Sequence, residues 1–214
     1  MPSRLLLVRH GQTTWHAENR YAGITDVPLT EEGLAQADDL SVWAVRRGVD
    51  AVVVSPLSRA RRTARPAAEA LGLDPEVVED LREVDFGWGE GRTVQEMAAE
   101  DAEAVRRFRA DAESGAFPGS EPPSKAARRA TAALHDIAVR HPGGTVLVVA
   151  HNTLLRIALC ALLGVPVGRY RKVFPRLDNA AVTEIELGAD HVALLSLNVP
   201  TRIPRTVRTG DLSA

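Results

Sequence analysis

Lysine is nearly absent from this 214-residue chain: only Lys125 and Lys172 stand among 26 basic residues, so 24 are arginines. GC-rich codon usage explains the bulk of them. Guanidinium also binds phosphate oxygens bidentately, so particular arginines become candidates for anion recognition. Cys160 is the sole cysteine, which excludes an intrachain disulfide and any cysteine-based zinc site. It lies in the apolar run from Ile157 to Leu163, where a buried thiol is expected. No apolar run approaches the ~20 residues that span a bilayer. The start, Met1-Pro2-Ser3-Arg4, has no secretory apolar region, so a cytoplasmic location is expected. A net charge of −2 provides no general field for nucleic acid or an anionic membrane.

What is present is a chain of ordinary globular composition, 45% hydrophobic and 25% charged, which suffices for a packed core. Its length fits one domain over residues 1–214. Leu5-Leu6-Leu7-Val8, Ala51-Val52-Val53-Val54 and Val146-Leu147-Val148-Val149 read as short strands buried on both faces. Each precedes a segment of helical spacing, which predicts an α/β fold: a three-layer α/β/α sandwich with a mostly parallel central sheet. Helices are expected from Thr30, as N-cap, to Arg47 with Gly48 as stop, and from Leu57 to about Gly72. Others are expected over Val94 to Ala112, over Lys125 to Val139, and from His151 to Gly164. Ala181 to Leu187 and Val192 to Leu197 read as two strands joined around Gly188. The Gly/Pro/Ser-rich stretch from Gly115 to Ser124 reads, with the helix before it, as an excursion over the sheet, about 92–124, fit to act as a lid. The tail after Asn198, with Pro200, Pro204, Arg202, Arg205 and Arg208, is expected to be irregular and packed across the surface.

Ligands of open α/β sheets bind at the carboxyl ends of the strands. Three such ends carry reactive groups here: Arg9-His10-Gly11, Ser55-Pro56-Leu57-Ser58-Arg59, and His151. Two histidines and two arginines there would form a compact cationic pocket. Gly11, lacking a side chain, would let a ligand approach the backbone. Taken singly these residues have ordinary explanations. Arg59 reads as a helix-face arginine like Arg61 and Arg62, Glu83 as a solvated acid, and His151 as a cap of the following helix.

The longer pattern carries more. Leu7-Val8-Arg9-His10-Gly11-Gln12-Thr13-Thr14-Trp15 is followed by Asn19-Arg20-Tyr21-Ala22-Gly23, Asp26-Val27-Pro28-Leu29-Thr30, Gly33 and Gln36-Ala37. Then come Ser55 to Ala60 with Thr63-Ala64, Leu81-Arg82-Glu83 with Phe86-Gly87 and Glu90-Gly91, and Val149-Ala150-His151 with Leu155-Arg156. These blocks, in this order, resemble the histidine phosphatase superfamily, the group that includes cofactor-dependent phosphoglycerate mutases. The resemblance covers about the first 190 residues.

It implies that His10 attacks phosphorus through a neutral ring nitrogen to form a phosphohistidine, while Arg9 and Arg59 clamp the phosphoryl oxygens. His151 would add a donor, and Glu83 would protonate the leaving alkoxide and then activate water, a nearby phosphate dianion favouring its protonated form. Gln12, Thr13, His16, Gly23 and Asn152 are the expected substrate contacts. No metal and no cofactor is implied. The expected partner is a small phosphorylated molecule, with a homodimer left open. His16 stands where members usually have asparagine, and Asn152 where glycine is usual. Gly119-Ser120-Glu121-Pro122 resembles an altered Gly-Gly-Glu-Ser loop. The short span from Arg92 to Lys125 resembles the phosphatase branch rather than the mutases. Trp15, His16, Tyr21, Phe86 and Trp88 are candidates for the pocket mouth, Phe86 reading better as core. The alternatives are a mutase, a non-catalytic phosphate-binding module on the same fold, and a metallohydrolase using His10, His16 and His151.

Overall fold

The computed structural model describes residues 1–202. Pro204, Arg205 and Arg208 of the tail lie outside the described residues. The strands are β1 (Ser3–Arg9), β2 (Ala51–Val54), β3 (Glu76–Val77), β4 (Thr145–Ala150), β5 (Val182–Leu187) and β6 (Val192–Val199). They form one sheet in the order β3-β2-β4-β1-β5-β6. The first four in that order run parallel, and the β5–β6 hairpin adds antiparallel to β1. The helices are α1 (Glu31–Arg47), α2 (Ser58–Leu71), α3 (Val94–Glu100), α4 (Ala102–Ala110), α5 (Pro123–Arg140), α6 (Asn152–Leu162) and α7 (Tyr170–Val173).

Alternation along the buried strands assigns the two faces of the sheet. Leu5, Leu7, Val53, Val146 and Val148 pack with α5 and α6. Leu6, Val8, Val52, Val54, Leu147 and Val149 pack with α1 and α2. The result is the expected three-layer α/β/α arrangement. Cys160 is buried as expected, and burial pushes its thiol up to about 11.

The expected boundaries of α1 hold because their local chemistry is decisive. The Thr30 hydroxyl accepts from the Gly33 amide at 3.0 Å, and Gly48 ends the helix at φ 63°. The single helix expected over Val94 to Ala112 is instead two. Asp101 closes α3 in a non-helical conformation, and its carboxylate caps α4 through the Ala104 amide at 2.8 Å. A side chain that can satisfy a free helix amide outweighs continued helical spacing. At the chain's far end, Arg202 reaches Asp39 and Glu32 of α1, so the described start of the tail does cross the surface.

Gly11 departs from its expected role. A Cβ there would lie 2.5 Å from the Gly33 carbonyl oxygen, and one on Gly33 would lie 2.1 Å from the Gln12 carbonyl oxygen. The missing side chains let the loop after β1 rest on the first turn of α1, rather than admitting a ligand. Gly33→Ala should therefore destabilise the protein by about 2 kcal/mol or more in urea denaturation, although alanine normally stabilises a helix interior by about 1 kcal/mol over glycine. A stabilised variant would contradict this close approach.

Candidate active site

The carboxyl ends of β1, β2 and β4 bring Arg9, His10, Ser55 and His151 together, and the loop after β3 adds Glu83. The rings of His10 and His151 lie 5.2 Å apart, and His10 and His16 6.0 Å apart. His10 is buried, and its Nδ1 is 2.7 Å from the Gly11 carbonyl oxygen. A carbonyl only accepts, so Nδ1 carries the proton and Nε2 the lone pair. Burial, and then the charges of Arg59 and Arg9, hold the ring well below its ordinary pKa, leaving it neutral near pH 7.

The arginines around it are held by carbonyl oxygens. Arg59, fully buried, donates to Thr25 at 2.8 Å, Gly23 at 2.6 Å and Ala22 at 3.3 Å. Arg9 donates to Leu177 O at 2.7 Å and to His16 Nε2 at 2.5 Å. Burial draws Arg9 down to about 10, yet it remains charged at neutral pH. Among the described residues the Nε atoms of both arginines are buried without a partner.

His16 is engaged by protein groups on both ring nitrogens. Its Nδ1 accepts from the Thr13 amide at 3.0 Å and lies 2.8 Å from the Thr13 hydroxyl, while its Nε2 lies 2.5 Å from the Arg9 guanidinium and 3.2 Å from the Asn179 side-chain amide. Burial, and then Arg9, lowers its pKa to about 4. His151 contacts the Ser55 hydroxyl at 2.6 Å through Nε2, and among the described residues its Nδ1 is buried without a partner. Its pKa too is held well below the ordinary value, by burial and then Arg59. His151 is therefore neutral near pH 7.

Glu83 is not a solvated acid. It is buried, and its carboxylate accepts from the amides of Val84, Thr153 and Leu154 at 2.8–2.9 Å. The last two open α6, so Glu83 does the capping that His151, whose side chain makes no cap bond, was considered for. Arg129 of α5 holds the chain that carries it, donating to the carbonyls of Asp80, Arg82 and Glu83 at 2.6, 2.8 and 3.2 Å. Glu121 in turn pairs with Arg129 at 2.7 Å, both side chains almost wholly buried. The altered Gly-Ser-Glu-Pro loop thus supplies the anion that anchors this clamp.

A cavity of about 270 Å³ opens on the site. Arg9, Thr13, His16, Glu83 and Asn152 border it, as do Tyr21, Phe86, Arg156 and Arg171. Gln12 and Gly23 do not, nor do His10, Arg59 and His151. Gln12 bonds Thr30 and Gln36 at the start of α1, and Gly23 packs against Val84 and accepts from Arg59. Trp15 packs on Gly91, and Trp88 stacks edge-on to Phe117 and donates to Glu100. Neither borders the cavity. A larger cavity, about 360 Å³, lies beside Arg61, Arg62, Arg65 and Val77, away from these groups. Among the described residues no three His, Cys, Asp or Glu side chains group as metal ligands. Nor is any described helix long and apolar enough to cross a membrane.

Sequence reasoning missed Arg129, Arg171 and Asn179 as parts of the site, and noted Ser55 and Arg156 only as parts of motifs. The sequence around the first three carries no distinguishing pattern, because each reaches the site through tertiary packing.

Residues 5–200 match the family model described as the histidine phosphatase superfamily (branch 1). The chain is 43% identical over 201 residues to the bifunctional protein Rv2228c of Mycobacterium tuberculosis, covering 92% of this chain and 53% of that relative. The chain thus spans about half the length of that relative. It is 32% identical to phosphoserine phosphatase 1 of Hydrogenobacter thermophilus, with 92% of each covered. It is 34% identical to a probable phosphoglycerate mutase GpmB of Enterobacter sp., covering 86% of this chain and 84% of that one. Among solved structures it is similar to mycobacterial glucosyl-3-phosphoglycerate phosphatase Rv2419c, with a TM-score of 0.84 and 28% identity over 93% of this chain and 100% of that one.

The buried neutral histidines give a pH signature. The folded state binds fewer protons than the unfolded chain once pH falls below about 6.5, so stability rises with pH and is lost on acidification. Burial dominates for His10 and His151, each contributing up to ~1.4 kcal/mol per pH unit. Melting temperature should fall between about pH 7 and 5.5, and inorganic phosphate should flatten that slope by favouring the charged rings. A slope indifferent to phosphate would contradict an anion site at these histidines.

Proposed function

The chain belongs to the histidine phosphatase superfamily, branch 1, and from that premise we propose that it hydrolyses small phosphomonoesters through a phosphohistidine on His10, without a metal ion. The observation that carries this reading is the state of His10: Nδ1 bonded to a carbonyl, the ring held neutral by burial and by the charges of Arg59 and Arg9, and Nε2 left with its lone pair.

His10 Nε2 attacks phosphorus as the ester P–O bond breaks. Arg9 and Arg59 offer N–H groups to the phosphoryl oxygens, and their charge opposes the negative charge that builds there. Glu83 gives a proton to the departing alkoxide. Water then attacks the phosphohistidine, Glu83 takes its proton, and the N–P bond breaks to release phosphate. Among the described residues His151 Nδ1 and Asn152 Oδ1 are buried without a protein partner. The stretch 1–214 acts as one domain, with residues 92–124 as a lid. Tyr21 and Phe86 pack with Phe108 and Phe117 of that excursion, which closes the cavity on one side.

The relatives named phosphoserine phosphatase and glucosyl-3-phosphoglycerate phosphatase support hydrolysis of a small metabolite. The likeness to a probable phosphoglycerate mutase keeps transfer as a second reading. The short excursion favours water as acceptor.

With p-nitrophenyl phosphate in excess EDTA, wild type should turn over and His10→Ala should not, while circular dichroism shows both folded. Glu83→Gln should cost much more, ~10²-fold or greater, with an alkyl phosphate than with p-nitrophenyl phosphate, whose leaving group needs no proton. Equal activity of wild type and His10→Ala would sink the nucleophile, and equal losses on both substrates would sink the acid.

A further inference from the structure

The charges bordering the cavity are unequal. Arg9, Arg20, Arg156 and Arg171 face one acid, Glu83. Arg20 is neutralised by Glu18 and Glu96 at 2.8 and 2.9 Å. Arg156 and Arg171 are not. Arg156 is buried and spends its N–H groups on the carbonyls of Asn152, Phe174 and Pro175, at 3.1–3.3 Å, with its guanidinium over the Tyr170 ring. Arg171 is partly buried, lies over the Phe108 ring, and reaches the Tyr21 hydroxyl at 3.4 Å. Neither has a carboxylate within ion-pair distance among the described residues. Burial pulls Arg156 below its ordinary range, and the neighbouring charge of Arg171 acts in the same direction. Two adjacent guanidinium groups without a counter-charge are costly in a partly dry wall unless an anion joins them.

We propose that Arg171 and Arg156, with the Tyr21 hydroxyl, form a subsite for a carboxylate that the substrate carries close to its phosphoester. This rests on the reading that His10 marks the phosphoryl end of the cavity. Carboxylate fits better than a neutral sugar or base for two reasons. A guanidinium fork matches its planar oxygens, and a neutral group would leave both charges unmatched. The volume of about 270 Å³ also falls below that of most ligand cavities, so phosphoryl and carboxyl groups must sit a few bonds apart.

Calorimetric titration with two non-hydrolysable ligands tests the subsite independently of catalysis. 3-Phosphonopropionate and propylphosphonate differ in carrying a carboxylate or a methyl group at the end away from phosphorus. Wild type should bind the first about tenfold more tightly or better, and Arg171→Met should remove most of that preference. Equal affinities in wild type would overturn the subsite, and that comparison needs no variant to fold. A preference that survives Arg171→Met would overturn the assignment to Arg171, and binding of neither ligand would overturn it as well. Carboxylate preference without hydrolysis of p-nitrophenyl phosphate would leave the subsite standing and remove the phosphatase reading.

Discussion

Guanidinium groups that rest on backbone carbonyls, rather than on carboxylates, set the character of this site. Arg9 leans on Leu177, Arg59 on Ala22, Gly23 and Thr25, and Arg156 on Asn152, Phe174 and Pro175. A carbonyl satisfies the donor without cancelling its charge. The positive field therefore survives burial, adds to the desolvation that holds His10, His16 and His151 neutral, and remains available to an incoming anion. The loops pay for this in conformation: Gly23 packs where a Cβ would meet the Val84 carbonyl at 2.4 Å. Ala180 takes a left-handed φ of 55°, a strain of about 1 kcal/mol, where its amide bonds Arg9 O and the adjacent Asn179 side chain bonds His10 O.

The acid is held by a complementary device. Glu83 comes from one segment, the amides that receive it open α6, and the clamp that fixes its backbone, Arg129, belongs to α5. Glu121 ties this clamp to the end of the excursion, whose Phe108 and Phe117 also pack around Tyr21. The excursion, Glu83 and the wall of the cavity are thus packed as one unit. A change in the excursion would reach Glu83 as well as the cavity wall.

Much of the fold was legible because its signals are local. Thr30 and Gly48 bound α1 by capping chemistry, and three continuous apolar runs mark the buried parallel strands. β3, two residues long, has no period to read, and α7 is a single turn. Asp101 carries a cap signal inside a continuous helical pattern, and spacing alone hides it. At the site, His10, His151, Arg9, Arg59 and Glu83 could be named from their motifs, and the structure gathers them at one end of the sheet. What they lean on was not legible. Gly11 looked like a ligand contact, yet its partner is Gly33, 22 positions away. Arg171 and Asn179 reach the cavity only because α7 and the turn before β5 fold over it.

The central claim is that a neutral His10 attacks through Nε2 because Nδ1 is committed to the Gly11 carbonyl. Rapid base quench during turnover of a phosphomonoester, followed by phosphorus–nitrogen NMR coupling on nitrogen-15 histidine-labelled protein, tests it most directly. A phosphoryl group on Nε2 of His10 is the predicted result. Phosphorylation at Nδ1, on His151 or His16, or turnover with no phosphoenzyme under conditions that trap one, would contradict the account.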